Sequence, residues 1–281
     1  MPWSIEEECA DGLPYVNNLG GGGQQNCRGT AMCSQQMMYF RNVVPEWPAG
    51  SGQGVDLKIT LKPFMPGYVI DYKPTHDDNF DSIDPTFGRQ GCSKNGKLIS
   101  IAVFGTTGAF DFEFVRSDGT TPVVLSSFIM AGYDIDCSNG CYNKQGTYPG
   151  NPNHDVLSIV HGDGLSRYYV DPATRLRCCQ GTQDMCSPAN EGLYTTANCQ
   201  AMSVRADMQF SGREGIADHS DVPDAIGATS KRHMVLWEHV SSSKSVAVMS
   251  GYDKTSTRFA FVGTVPCASG PPPPLPSPLK N

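Results

Sequence analysis

The chain has 281 residues, of which 17% are charged and 39% hydrophobic, and its formal net charge is −7 at pH 7. It is too poor in Ala, Glu, Lys and Leu for a coiled coil or helical bundle, and too apolar at this modest charge for a disordered chain. An unbroken apolar run of about 18 residues, the least a membrane-spanning helix needs, does not occur, and the acidic balance argues against nucleic acid as a partner.

Residues 1–54 are rich in Gly, Gln and Cys, with four successive glycines at Gly20 to Gly23. Within this stretch Ala31 to Asn42 (AMCSQQMMYFRN) is expected to form a helical turn or two, with Met37, Met38, Tyr39 and Phe40 filling a core edge. From residue 55 the hydrophobic period becomes two. Val55, Leu57, Ile59 and Leu61 alternate with Asp56, Lys58, Thr60 and Lys62, which predicts a strand with one buried and one wet face. Met65-Pro66-Gly67 turns the chain, and Tyr68 to Tyr72 reads as a short strand. Leu98 to Phe104 is a nearly continuous apolar strand, and Phe110, Phe112 and Phe114 alternate with Asp111 and Glu113. Ser117-Asp118-Gly119 is a hairpin-type turn.

Further strands are expected at Val123 to Leu125, Phe128 to Ile135, Val156 to Val160, Tyr168 to Val170 and Val204 to Phe210. Met234 to Val240, Ser245 to Met249 and Arg258 to Val262 complete the set, with Trp237 in the core. Short strands separated by polar turns, without helical patterning, indicate an all-β fold: an antiparallel β-sandwich or jelly roll spanning residues 55–268. Residues 1–54 are expected to pack on it. Residues 269–281 (SGPPPPLPSPLKN) form a polyproline II tail outside the core, read as an extracellular spacer rather than an SH3 ligand.

The cysteines are Cys9, Cys27, Cys33, Cys92, Cys137, Cys141, Cys178, Cys179, Cys186, Cys199 and Cys267. Zinc favours paired C-x-x-C knuckles, and none occurs here. Disulfides stapling long loops onto the sandwich are the better reading, and they place the chain outside the cell or on its surface. The odd count leaves at least one thiol free or bonded to another chain, and the pairing is open. Residues 1–9 have no basic segment followed by an apolar one, so either a mature or trimmed chain or an exporting signal outside it is expected. No Asn is in an N-glycosylation sequon.

Two acidic clusters are candidate calcium sites, since hard carboxylate oxygens suit Ca²⁺. One comprises Asp77, Asp78 and Asp81, with Asn79 and Asp84 beside them; the competing reading is a solvated acidic loop. The other is Asp134 and Asp136, two like charges on the same side of a strand end, where repulsion calls for a cation or hydrogen-bond donors. His154 beside Asp155, and His219 between Asp218 and Asp221, are weaker metal candidates. The sequence has no G-x-S-x-G elbow, phosphate loop or dinucleotide fingerprint. Glu113 and Asp134 are the carboxylates a polysaccharide hydrolase would need. Trp47, in Pro45-Glu46-Trp47-Pro48, is the candidate for stacking on a glycan.

The stretch from Gly96 to Asp136 resembles a domain of secreted surface proteins of algae and other protists. The likeness rests on Phe110, Phe112 and Phe114, then Pro122, Val123, Leu125, Ser127 and Phe128, then Tyr133 to Asp136, with Arg258 to Phe261 closing the domain. The tail is similar to the hydroxyproline-rich rods of algal wall, matrix and flagellar-hair (mastigoneme-like) glycoproteins. That resemblance implies hydroxylation and O-glycosylation at Pro271, Pro272, Pro273, Pro274 and Pro276. It also implies a non-enzymatic structural or adhesive module whose partners are copies of itself, other surface glycoproteins or glycans. A calcium-dependent glycan-binding module and a polysaccharide hydrolase are the alternatives.

Overall fold

The structure is a computed structural model that describes residues 2–3, 16–17, 19, 26–27, 35–64, 70, 99–104, 107–133, 156–160, 164–170, 176–178, 201–206, 234–250 and 256–264. The strands are β1 (Pro2–Trp3), β2 (Val16–Asn17), β3 (Asn26–Cys27), β4 (Met37–Val44), β5 (Val55–Leu61), β6 (Ile99–Phe104), β7 (Thr107–Val115) and β8 (Leu125–Tyr133). They continue as β9 (Val156–Val160), β10 (Leu165–Val170), β11 (Leu176–Cys178), β12 (Ala201–Ala206), β13 (Val235–Ser242), β14 (Lys244–Ser250) and β15 (Ser256–Thr264). No α-helix occurs among the described residues.

The strands form two sheets, and each pairing among them is antiparallel. A nine-stranded sheet runs β11-β12-β9-β14-β7-β5-β4-β2-β3. A six-stranded sheet runs β1-β15-β8-β13-β10, with β6 on β15. One core cluster draws from both sheets. Met38, Phe40, Leu57, Ile59, Phe110, Phe112, Phe114, Ala247 and Met249 come from the first, and Ile99, Ile101, Leu125, Phe128, Met130, Val235 and Trp237 from the second. The sheets therefore face each other across a shared interior, as the alternation in β5 and β7 requires. Phe114 and Phe128, from opposite sheets, meet edge to face at 4.8 Å, a favoured aromatic arrangement.

Two expectations are corrected. The helical turn within Ala31 to Asn42 is absent where that stretch is described, because Met37–Val44 is strand β4, paired to β5 with Met38 opposite Ile59 and Phe40 opposite Leu57. All four residues of Met37–Phe40 are buried. Met38 and Phe40 enter the shared core, while Met37 and Tyr39 join Val16 and Val115 in a second cluster on the outer face. Burial on both faces erases the alternation that marks a half-buried strand. The second correction is Asp56, read as lying on a wet face. It is 3% exposed, and its carboxylate is taken up by buried donors described below.

The turn at Ser117-Asp118-Gly119 is present, with the Gly119 amide donating to the Arg116 carbonyl and Gly119 at φ 73°. It does not close a hairpin within one sheet. Val115 and Pro122 form an isolated bridge, and the chain then passes from β7 in the nine-stranded sheet to β8 in the six-stranded one. The step from β13 to β14 crosses in the opposite direction, through Ser241 at φ 50°. The two crossings are tied at Phe114: its amide donates to the Ser243 carbonyl at 2.7 Å, and its carbonyl accepts from the Val123 amide at 2.8 Å.

Candidate functional site

The best-defined exposed feature of the described residues is the corner where the β4–β5 loop meets the end of β7. The loop is organised by its own backbone. The Trp47 amide donates to the Gln53 carbonyl at 2.8 Å and the Ser51 amide to the Pro48 carbonyl at 3.1 Å. Gly50 and Gly52, at φ 81° and 65°, supply left-handed positions that other residues resist. The Glu46 carboxylate accepts the Gly52 amide at 2.6 Å. Hydrogen bonds from the Gly52 and then the Gly50 amide hold the Glu46 carboxyl below its ordinary range. The Trp47–Pro48 peptide is cis.

Arg116, at the end of β7, clamps this loop from the side. One guanidinium nitrogen donates to the carbonyls of Trp47 at 2.8 Å, Gly54 at 3.3 Å and Gln53 at 3.4 Å. A cation gathering carbonyls in this way fixes a loop that has no strand partner of its own. Beneath it, Asp56 joins β4 to β5: Tyr39 Oη donates to Oδ2 at 2.6 Å and the Asn42 amide to Oδ1 at 2.8 Å. Asn42 sits at φ 49°, at the irregularity between β4 and β5. Its side chain lies where a Cβ on Gly54 would fall, so Gly54 leaves room for that turn.

The Arg116–Pro122 turn completes the corner. The Asp118 carboxylate accepts the Thr120 amide at 2.7 Å, the Thr121 amide at 2.8 Å and the Thr121 hydroxyl at 2.5 Å. These bonds, led by those from Thr121, hold its carboxyl far below the usual range. Trp47 Nε1 donates to the Val124 carbonyl at 3.1 Å. The indole is half-buried and packs against the core. Val124 is 58% exposed, and Pro45 and Pro48 are exposed beside Trp47. The corner therefore offers a rigid strip of Pro, Trp and Val side chains. Its polar groups are committed to holding the loop, which suits contact rather than acid–base chemistry.

No protein-family model and no curated protein matches the chain. Among solved structures, it is similar to the N-terminal domain of a Streptococcus gordonii adhesin, at 11% identity over 80% of this chain and 47% of that one, with a TM-score of 0.39. It is also similar to the adhesin domain of PrgB from Enterococcus faecalis, at 12% identity over 82% of this chain and 63% of that one, with a TM-score of 0.35. The chain thus spans only about half to two thirds of these proteins.

Of the residues singled out in the sequence, Trp47 lies at the corner just described. Glu113 is on the outer face of the nine-stranded sheet, ion-paired with Lys58 at 2.8 Å. Lys58 and Glu113 are directly opposite in the β5–β7 register. The calcium candidates Asp77, Asp78, Asp81, Asp134 and Asp136 lie outside the described residues, as do Pro271, Pro272, Pro273, Pro274 and Pro276. So do His154 and His219. Cys27 is on β3 and Cys178 on β11, and the remaining cysteines fall outside. Among the described residues no three of His, Cys, Asp and Glu are grouped as a metal site, and no helix is long and apolar enough to cross a membrane.

Arg116, Asp56 and Tyr39 were not legible as site residues. Arg116 bonds a loop more than sixty positions earlier, and a lone Arg before a turn carries no signal of that. Tyr39 and Asp56 are brought together by the β4–β5 pairing, which sequence reasoning did not anticipate once residues 31–42 had been read as helical.

Proposed function

We propose that the chain is a non-enzymatic extracellular module, with a β-sandwich that makes contacts at the cell surface, in a matrix or in a flagellar appendage. The observation that carries this reading is the Trp47 corner. A half-buried indole with exposed Pro45, Pro48 and Val124 is held in place by the Arg116 clamp and the Glu46 carboxylate, so the contact surface is ordered before a partner arrives. The cysteine-rich composition supports an oxidising compartment. The proline tail supports a spacer between this module and its anchor or neighbour. In this reading the prolines from Pro271 to Pro276 are hydroxylated and glycosylated, and the unpaired cysteine is available for cross-linking to another copy or surface glycoprotein.

The test is adhesion of the full chain, made in an oxidising host, to intact cells and to isolated wall or matrix material. Saturable binding is expected to be weakened by Val124→Asp at an unchanged melting temperature, and by Trp47→Ala in protein that is less stable yet still folded at the assay temperature. Equal binding by wild type and both variants would rule out the corner as the contact. Hydrolysis of wall polysaccharide by the purified chain would refute the non-enzymatic reading. Mass spectrometry of the native protein reads the proline modifications directly.

A further inference from the structure

A second surface is the face of the six-stranded sheet turned away from the shared core. In the six-stranded sheet Trp237, Met130 and Phe128 point inward, so the residues next to them along each strand point outward. On β10 and β13 these are Arg167 and Tyr169, Leu236 and Glu238. On β8 they are Ile129, opposite Glu238, and the buried Ala131, opposite Leu236. Tyr169 Oη donates to Glu238 Oε2 at 2.7 Å. With Glu238 on its hydrogen, and part of its ring buried, the phenol titrates above its ordinary range. Arg167, on the same strand and the same face, opposes that effect on the phenol without outweighing it.

The arrangement has three consequences. First, the ring of Tyr169 is tied at its far end across the strand, so its plane is set in advance and a ligand that covers it meets little ordering cost. Second, Arg167 and Glu238 are paired in register, one positive and one negative. Together they present N–H donors and a carboxylate acceptor with no net charge. Third, β10 ends the six-stranded sheet among the described strands, so the ring stands at a rim that a long, narrow ligand can reach. A neutral pyranose matches all three features. Its C–H face covers an aromatic ring, and its vicinal hydroxyls both donate and accept. An anionic or cationic chain gains nothing from a self-compensated pair. A second copy of this chain would need a broad apolar patch; here a charge pair interrupts Leu236 and Ile129.

We infer that Tyr169, Arg167 and Glu238 on the outer face of the six-stranded sheet form a binding platform for a neutral glycan chain. This platform is separate from the Trp47 corner and stands or falls without it.

The test is affinity electrophoresis of the full chain in gels containing soluble β-glucan, galactomannan or xylan, with alginate as the anionic comparison. Retardation is expected in at least one neutral gel and not in alginate alone. Tyr169→Ala should weaken it at least about tenfold, equivalent to ~1.4 kcal/mol. Tyr169→Phe keeps the ring but loses its anchor, and should fall between Tyr169→Ala and wild type. Glu238→Gln should weaken binding in the same gel, which keeps the test decisive if Tyr169→Ala does not fold. The platform is overturned by the absence of retardation in all three neutral gels, by retardation in alginate alone, or by a folded Tyr169→Ala that binds normally. It is equally overturned if Trp47→Ala abolishes gel binding while Tyr169→Ala leaves it intact. Self-association in sedimentation that Tyr169→Ala abolishes would assign the face to a second copy instead.

Discussion

Asp56→Ala isolates the bond between β4 and β5 on which the corner rests. The substitution removes one carboxylate that accepts two hydrogen bonds, from Tyr39 Oη at 2.6 Å and from the Asn42 amide at 2.8 Å. Both Asp56 and Tyr39 are almost wholly buried, so water does not readily replace the lost acceptor. Hydrogen bonds to a charged group contribute ~1.5–3 kcal/mol each, and the two together put the expected loss at about 4 kcal/mol. For a domain of this size that is a fall of about 8–16 °C in melting temperature. Asp56→Asn keeps an acceptor of the same shape and should cost about 1–2 kcal/mol. Urea unfolding with the disulfides intact, followed by tryptophan fluorescence, measures both. A double-mutant cycle with Tyr39→Phe should return a coupling of about 1–3 kcal/mol. A loss below about 1 kcal/mol for Asp56→Ala, with unchanged denaturant slope, would show that this buried carboxylate does not hold the strands together.

Further expectations concern the turns and the outer face. Gly164→Ala should destabilise by about 3 kcal/mol or more. Its φ is +78°, and the new Cβ would meet the Val240 carbonyl and lie 3.0 Å from Ser242 Cβ. Gly52→Ala, at φ +65° with nothing within 4 Å, should cost only the backbone strain of ~1–2 kcal/mol; equal losses from the two would refute the steric argument. Asp118 has a depressed carboxyl, so its contribution is present above the unfolded value of ~3.9 and is lost as pH falls. The stability gap between wild type and Asp118→Asn should therefore narrow from pH 5 to pH 2, and a gap constant in urea midpoint would contradict this. The Lys58–Glu113 pair, with side chains 19% and 34% exposed, should show a coupling under about 1 kcal/mol that shrinks in 1 M NaCl.

Alternation made β5 and β7 legible. Val55, Leu57 and Ile59, with Phe110, Phe112 and Phe114, are buried as their period requires. What alternation supplies is which residues share a face, not whether that face is wet. Asp56 is on the predicted side, yet it is buried because Tyr39 comes from a neighbouring strand to meet it. Met37–Phe40 defeated the same signal because both its faces are covered. Short apolar runs of this kind do not separate strand from helix. At the corner, Trp47 was legible through its neighbouring prolines. Arg116 was not, since its role arises only when distant segments meet. The outer platform was hidden for a similar reason: Tyr169 and Glu238 are 69 positions apart. Each looks ordinary until β10 pairs with β13.

The ties at Phe114 also bear on the order in which the molecule can form. Its amide waits for the carbonyl of Ser243, which belongs to the far end of the chain. Local pairing between β4 (Met37–Val44) and β5 (Val55–Leu61) closes a short loop and can proceed early. The crossing from one sheet to the other is secured only after β13 and β14 have arrived, so the step that joins the two sheets is a long-range closure. Topologies dominated by such contacts fold slowly. During synthesis, the inner phenylalanines of β7 remain without their final cover until the last strands emerge, and this interval is where aggregation competes with folding.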